Sequence, residues 1–543
     1  MSVPSSSIQI LQGVPLNNSY EHTLYFEFPD SQEDYMGDKV VKVISNFTYL
    51  RPENKIKVAG DVANARAWNY LRFKNSDGKW FYHFIDKVTY LNDSAVELHI
   101  TLDVIQTYMF DWELKPCFIE RNHTATDAFG EHTIPEGLET GPLVTYASQD
   151  INLEDNVILV MMACDRVGAD AWGLMVGGVY SGLEIYAVQP KDLTKFNQWL
   201  SKASGDGYIE AIVSMWMYPK DMVVVNDNWE SGSNTWTVLH KVHGIRTKDS
   251  VKIEDAFHGM TTLDGWTVKN KKTLCYPYTM LYMSNNMGGC ATYHRERFNT
   301  EGEFTFQLSG ALSPDSGVQL TPQNYKSING NYAWEEALAH PAFPTCAWNS
   351  DTYKVWLAQN QNQMDNTIKQ AKIQAVTGGV SAIAGIVGSA VAGNGMGMAG
   401  SFLGGAGSIL NSYQTIQGLM AQQADMAIQP DQARGNHSGN INLTNGRLGY
   451  TAYFMGVTGE YAKMIDQYFT RYGYKVNVIE VPKLRNRLNF TYIKTVGSMV
   501  GGDIGTEDQL KIQAIFDKGI TFWRTPNLVG DYESNNYPLG DYE

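Results

Sequence analysis

The sequence predicts a mainly β protein with some helix, of the α+β class. Three observations carry this reading. Residues 96–104 alternate strictly between apolar and polar. The 31 tyrosines and 50 glycines favour strands joined by many turns. Segments with helical periodicity lie mostly after Thr352. A chain of 543 residues, 43% hydrophobic and 12% aromatic, has ample material for several packed domains.

Val96, Leu98, Ile100, Leu102 and Val104 alternate with Glu97, His99, Thr101 and Asp103, which sets one face against a core. Upstream, Trp80 to Tyr90 is a second β-rich run, and Asn92-Asp93-Ser94 supplies turn chemistry between the two. Trp80 to Met109 is therefore expected to be a long antiparallel hairpin. From Thr124 to Asn349 short β runs follow, at Val157–Met162, Trp236–His243, Leu274–Met283 and Phe304–Leu308, with one short helix at Leu193–Ala203. No repeat of 20–50 residues is visible, which argues against a solenoid or propeller.

After Thr352 the texture changes. Tyr353–Ala375 lacks Gly and Pro, and Met364, Ile368, Ala371 and Ala375 share one helical face. A second glutamine-rich helix is expected from Ile409 to Ile428, stopped by Pro430. Tyr461, Met464, Tyr468 and Tyr472 mark a further helix ended by Gly473, and Tyr474, Val476 and Val478 begin a strand. Thr506-Glu-Asp-Gln509 reads as a capping box opening a helix that stops at Gly519. The polar, acidic tail from Pro526 is expected to fray.

Between the glutamine-rich stems, Ile373 to Ala424 contains no Asp, Glu, Lys, Arg or His. Small residues recur at every fourth position from Thr377 through Gly385 to Gly405, a spacing that lets helices approach closely. The bland reading is a buried helical hairpin. Against it stand Gly378, Gly379, Gly385 and Gly388, each costing a water-exposed helix about 1 kcal/mol relative to alanine. A lone transmembrane anchor fits poorly too. Residues 376–392 fall short of the roughly 20 needed to span. Val376, Val380, Ile383, Ile386, Val387 and Val391 together supply only about −2 to −4 kcal/mol of insertion energy. One copy should stay out of a membrane, whereas several copies packed through the small-residue face could enter it.

Other motifs weaken on inspection. Gly395-Met-Gly-Met-Ala-Gly400 fits Gly-x-Gly-x-x-Gly, yet no strand precedes it and the next acid, Asp425, is too distant for a dinucleotide site. His240 and His243 would face opposite sides of a strand, which spoils chelation. There is no Gly-x-Ser-x-Gly elbow, Walker loop or His-Glu-x-x-His. Cys117, Cys164, Cys275, Cys290 and Cys346 are odd in number and contain no Cys-x-x-Cys pair, so they read as free, mostly buried thiols. Met1-Ser-Val-Pro-Ser5 lacks the basic and apolar regions of a signal peptide, which predicts assembly in a reducing cytoplasm. Lys+Arg is 42 against 57 Asp+Glu, and a net charge of −15 disfavours capture of nucleic-acid phosphates. No cofactor and no metal is expected.

Three stretches of the chain resemble the tail knob proteins of short-tailed phages of Gram-positive bacteria, the Salasmaviridae and their relatives. The first runs from Trp80-Phe-Tyr82 through Asp103-Val-Ile-Gln-Thr-Tyr-Met-Phe-Asp111 to Phe118-Ile-Glu-Arg-Asn-His123. The second is the uncharged segment, running into Met420-Ala-Gln-Gln-Ala-Asp425. The third holds Tyr472-Gly-Tyr-Lys-Val-Asn477, Pro482-Lys-Leu-Arg485, Phe490-Thr-Tyr492, Gly502-Asp-Ile504 and Ile515-Phe-Asp-Lys-Gly-Ile-Thr-Phe-Trp523. Residues 124–349 match poorly and are where host-specific variation would sit.

The resemblance implies a hexameric tube at the distal end of the virion tail. Residues 1–123 and 437–543 would form tail-tube-type β-barrel domains, and 124–349 an inserted outer, β-rich knob region. Residues 350–436 would form helical stems carrying an apolar loop at about 376–410. That loop would plug the lumen and later breach the host cytoplasmic membrane through Val376, Val380, Ile383, Gly385, Ile386, Val387, Gly388, Val391, Phe402, Leu403, Ile409 and Leu410. The implied partners are further copies of the chain, the lower collar or proximal tube, a tail-tip lysin, double-stranded DNA passing through the lumen, and the host membrane. This is a structural role with no catalysis. A tail-tip cell-wall hydrolase and a receptor-binding module seated in the middle region are the alternatives from other classes. Release of sugar or peptide from host cell walls would point to the hydrolase, and glycan binding by the middle region to the receptor-binding module.

Overall fold

The computed structural model describes residues 7–45, 47–50, 54–75, 78–153, 155–162, 175–176, 179–180, 184–205, 212–225, 229, 238–299, 302–313, 317–326, 336–340, 345–347, 435–436 and 449–541. These are mostly strand with few helices, and they divide into two units. The first gathers Met1–Pro142, Thr261–Tyr278 and Val457–Glu543. The second holds Leu143–Met260 and Thr279–Gly456.

The first unit is built on two large sheets, with two small two-stranded ones beside them. The larger is antiparallel and orders its seven strands as Val40–Ile44, Ile8–Gln12, Trp68–Lys74, Trp80–Asn92, Ala95–Leu102, Lys55–Ala59 and Phe47–Leu50. The alternation read from sequence sets its core: Val96, Leu98 and Ile100 are buried with Ile8, Ile10, Ile56 and Leu71. The hairpin is shorter than expected. It ends at Leu102, and Val104–Tyr108 is a short helix. The cause is Asp103, whose side chain accepts the Gln106 amide at 3.0 Å and caps the helix, so Val104 and Ile105 are both buried instead of alternating.

The second sheet orders its five strands as His22–Leu24, Ile520–Trp523, Phe490–Val496, Cys117–Asn122 and Tyr474–Glu480. It draws on both chain ends. Leu11, Phe84 and Tyr108 pack with Phe490, Phe522, Trp523 and Phe516 in one core between the sheets and the Thr506–Lys518 helix. That helix begins without the expected capping box: Gly505 is its N-cap, Thr506 is already helical, and no side chain caps it. Its end is as expected, at Gly519 with φ +99°. The Gly459–Tyr472 helix buries Ala462, Ile465, Asp466 and Phe469, one residue round from the tyrosines that mark it in the sequence, and Met464 is exposed. The described part of the tail, residues 526–541, is docked on the core instead of frayed. Tyr532 packs on Trp523 and Phe490 at 5.3 and 5.2 Å, and Asn536 accepts the Asn489 and Phe490 amides at 2.9 and 3.1 Å.

The second unit is also largely β. Asn156–Met162 lies mid-sheet between Glu184–Val188 and Ile212–Pro219, and Val157 through Val160 are fully buried, so both faces of the strand are covered, which accounts for its unbroken apolar run. The Leu193–Gly205 helix buries Phe196, Trp199 and Leu200. Glu303–Gly310 buries Phe304, Phe306 and Leu308. His240 is buried and His243 exposed on one strand, facing apart as expected. Among the described residues, Cys117 and Cys275 are buried and Cys290 is exposed, and none of the three is in a disulfide.

Candidate functional site: an exposed apolar sheet edge and its polar anchors

The apolar segment with all twelve of its candidate residues, Val376 to Leu410, lies outside the described residues. Among the described residues no helix is long and apolar enough to cross a membrane. None of them forms a group of His, Cys, Asp and Glu that could hold a metal ion. What these residues do present is surface.

Cys117–Asn122 alternates, burying Cys117 and Ile119 and turning Phe118 outward. Phe118 is paired across the sheet with Ile479 on one side and Val496 on the other. Residues directly opposite in a sheet share a face. The three therefore form a continuous row, with Ile479 77%, Val496 54% and Phe118 38% exposed. Sequence reading missed this row. It took Tyr474, Val476 and Val478 only as the start of a strand; in the structure Asn477 adopts φ +49° and the register shifts between Ile119 and Arg121. Ile479 lies directly opposite Phe118, on the same face of the sheet. Tyr474–Glu480 is an edge strand with no further neighbour among the described residues.

The larger sheet has an apolar edge too. Val40–Ile44 pairs only with Ile8–Gln12 among the described residues, and Val41 and Val43 project from it exposed. Long apolar edges are normally blunted by charge or covered, because unpaired backbone groups invite another strand. Exposed contiguous apolar surface of this kind marks an interaction site.

Behind the row lies a buried ionic anchor. Glu136, whose side chain is fully buried, receives Arg121 and Lys272 as ion pairs and accepts the Lys475 amide at 2.9 Å. Arg121 also donates to the Gly473 carbonyl at 2.8 Å. Burial pulls the Lys272 pKa down and the pairing with Glu136 pushes back. A second anchor is Asp466, buried in mid-helix. Its carboxylate accepts from Trp266 Nε1 at 3.1 Å, from the Lys269 and Asn270 amides at 3.0 and 2.9 Å, and from Asn270 Nδ2 at 3.0 Å. These carboxylates are held by several donors each and serve to fasten Thr261–Tyr278 and the 124–142 loop to the sheet. Neither Glu136 nor Asp466 carries a sequence signature, since the partners lie far away along the chain.

Comparison with known proteins gives this architecture its place. Residues 4–113 match the family described as the caudoviral major tail protein N-terminus. Residues 244–537, more than half of the chain, match the family described as Bacillus phage phi29, Tail knob protein gp9, C-terminal domain. The tail knob protein gp9 of Bacillus phage B103 is 26% identical, and that of Bacillus phage phi29 25% identical, each alignment covering 98% of both chains. Among solved structures, the tail knob protein gp12 of bacteriophage C1 superposes with a TM-score of 0.63 at 13% identity, covering 98% of this chain and 99% of that one. The fold and its matches define a structural tail protein of a tailed phage. Within that class, the chain belongs to the phi29 gp9 tail knob family.

Proposed function

We infer that the protein forms a closed ring at the distal end of the tail, a conduit through which the phage genome leaves. The observation that carries this reading is the pair of unlike apolar sheet edges on the first unit, at Ile479–Phe118–Val496 and at Val41–Val43. Two different edges on one subunit support head-to-tail contact, and head-to-tail contact that closes makes a ring. Six copies are the number taken from the family resemblance. In this reading residues 1–123 and 437–543 form the tube, 124–349 the outer knob, and 350–436 the stems and apolar loop. The loop, at about 376–410, plugs the lumen and later enters the host cytoplasmic membrane. The ring joins the proximal tube, or lower collar, and a tail-tip lysin. It acts mechanically, without catalysis, and is assembled in the host cytoplasm.

The net charge of −15 supports a lumen along which DNA slides without being held. Electron micrographs of the purified chain test the reading. Rings are expected for the wild type, and a monodisperse monomer at high concentration would refute it.

A further inference from the structure

The first unit contains a cavity of about 440 Å³ whose lining includes His123, Asp127, Lys271, Thr470, Arg487 and Asn536. Nothing in the conduit reading uses it. Arg487 is 4% exposed. A guanidinium presents five donors and cannot shed its charge. Here Nη2 reaches Thr124 Oγ1 only at 3.5 Å, and the buried Nε has no acceptor among the described residues. The same group recurs in buried pairs elsewhere in this molecule with a carboxylate against it, as at Arg121–Glu136 and Arg295–Asp255. Arg487 has no such ion pair among the described residues.

One anionic group bears on it: the Arg487 charge acts on Asp127 against the effect of burial, but no ion pair joins the two among the described residues. Asp127 is the carboxylate in the lining, and its two oxygens are engaged, Oδ1 by the Tyr474 hydroxyl at 2.7 Å and Oδ2 by the Lys271 amide at 3.3 Å. His123 accepts the Tyr492 amide on Nδ1 at 2.8 Å and meets the Thr470 carbonyl through Nε2 at 3.0 Å. Burial first, then Arg487, pushes its pKa down to about 3, so it is neutral. Lys269 is spent on Glu533 at 2.8 Å. Lys271 is exposed and forms no ion pair among the described residues. Apart from Lys269, which is paired with Glu533, two cations therefore line this cavity against one carboxylate, an excess of one positive charge. With water alone the buried guanidinium would have no anion bonded directly to it. A guanidinium fork matches two oxygens of one anion, which favours an oxyanion over a halide.

We propose that this cavity is a binding site for a phosphate-sized oxyanion, held by Arg487 with Lys271 beside it. The test is calorimetric titration of the full chain with inorganic phosphate, at fixed ionic strength set with chloride. Saturable binding at one site per chain is expected, with a matching rise in melting temperature. Arg487→Gln should weaken it at least about tenfold, the loss of a charge-assisted bidentate contact. Lys271→Gln, a surface change that leaves folding intact, should weaken it about two- to fivefold. Absence of saturable heat overturns the proposal, as does unchanged affinity in either variant. If Arg487→Gln fails to fold, Lys271→Gln decides. Tighter binding of acetate than of phosphate would also overturn the assignment.

Discussion

Asp466 and Gly473 carry the first unit's most sensitive single positions. Asp466→Ala strips one acceptor from four donors around residues 266–270, two of them on buried Asn270. A loss of about 3 kcal/mol or more in chemical denaturation is expected. Gly473 sits at φ +64°, ψ −154°, a region that is essentially glycine-only, and an added Cβ would meet the Asn122 carbonyl oxygen. Gly473→Ala should cost about 2–4 kcal/mol, with the helix ahead of it intact by circular dichroism. Two pH effects oppose each other here. His123 and His83 are buried and neutral, with pKa values pushed down by burial to about 3 and about 4. The unfolded chain binds these protons first, so stability falls as pH drops below about 6.5. Asp103 runs the other way. Burial lifts it to about 6, so the folded state takes its proton first, and acidification from about 6 to 4 adds stability. Asp103→Asn should therefore steepen the acid loss in that window, measured as the urea midpoint against pH. An unchanged slope would show that Asp103 is not buried as described.

At the scale of elements, the exposed row makes a separable prediction. Ile479 is 77% exposed, so Ile479→Asp should change the stability of the isolated subunit by no more than about 0.5 kcal/mol. On the proposed reading it places a charge in a desolvated contact and should abolish rings, leaving monomers by light scattering. Rings that persist with the same dimensions would remove this edge from the interface. The sheet holding the row is stitched from both chain ends, with Cys117–Asn122 between Phe490–Val496 and Tyr474–Glu480. Truncation at either end should therefore unfold the unit as a whole rather than trim it.

For the whole molecule, the apolar segment is the part that should be removable. Deleting Val376–Leu410 should leave folding and ring formation unchanged, because the described sheets and cores lie outside it. The same deletion should abolish dye release from liposomes by intact tails. Membrane penetration should be cooperative, since one copy is near neutral in transfer energy while a ring concentrates several at one place. Gly385→Leu should raise hydrophobicity yet reduce dye release by blocking close helix approach. The segment has nothing to titrate between Ile373 and Ala424, so any acid dependence of release must come from groups that hold it. Dye release by the deletion variant equal to wild type would show that the membrane-active part lies elsewhere. Duplex DNA should not bind the assembled ring with submicromolar affinity at physiological salt, given the net charge of −15.

The sequence by itself determined what is encoded over a few neighbouring residues. Alternation from Val96 to Leu102 set a strand and its buried face, Gly473 and Gly519 ended helices, and the resemblance at both chain ends identified the family. Where two local signals competed, the local reading failed. Asp103 turned an alternating run into a capped helix. Tertiary structure alone decided what depends on distant partners. Arg121 meets the Gly473 carbonyl across 352 positions, and Lys272 meets Glu136 across 136. Periodicity and caps act through neighbours on one element, so they leave a pattern in the sequence. A charge buried by segments from opposite ends of the chain, or an arginine left without a carboxylate such as Arg487, leaves none until the chain has closed around it.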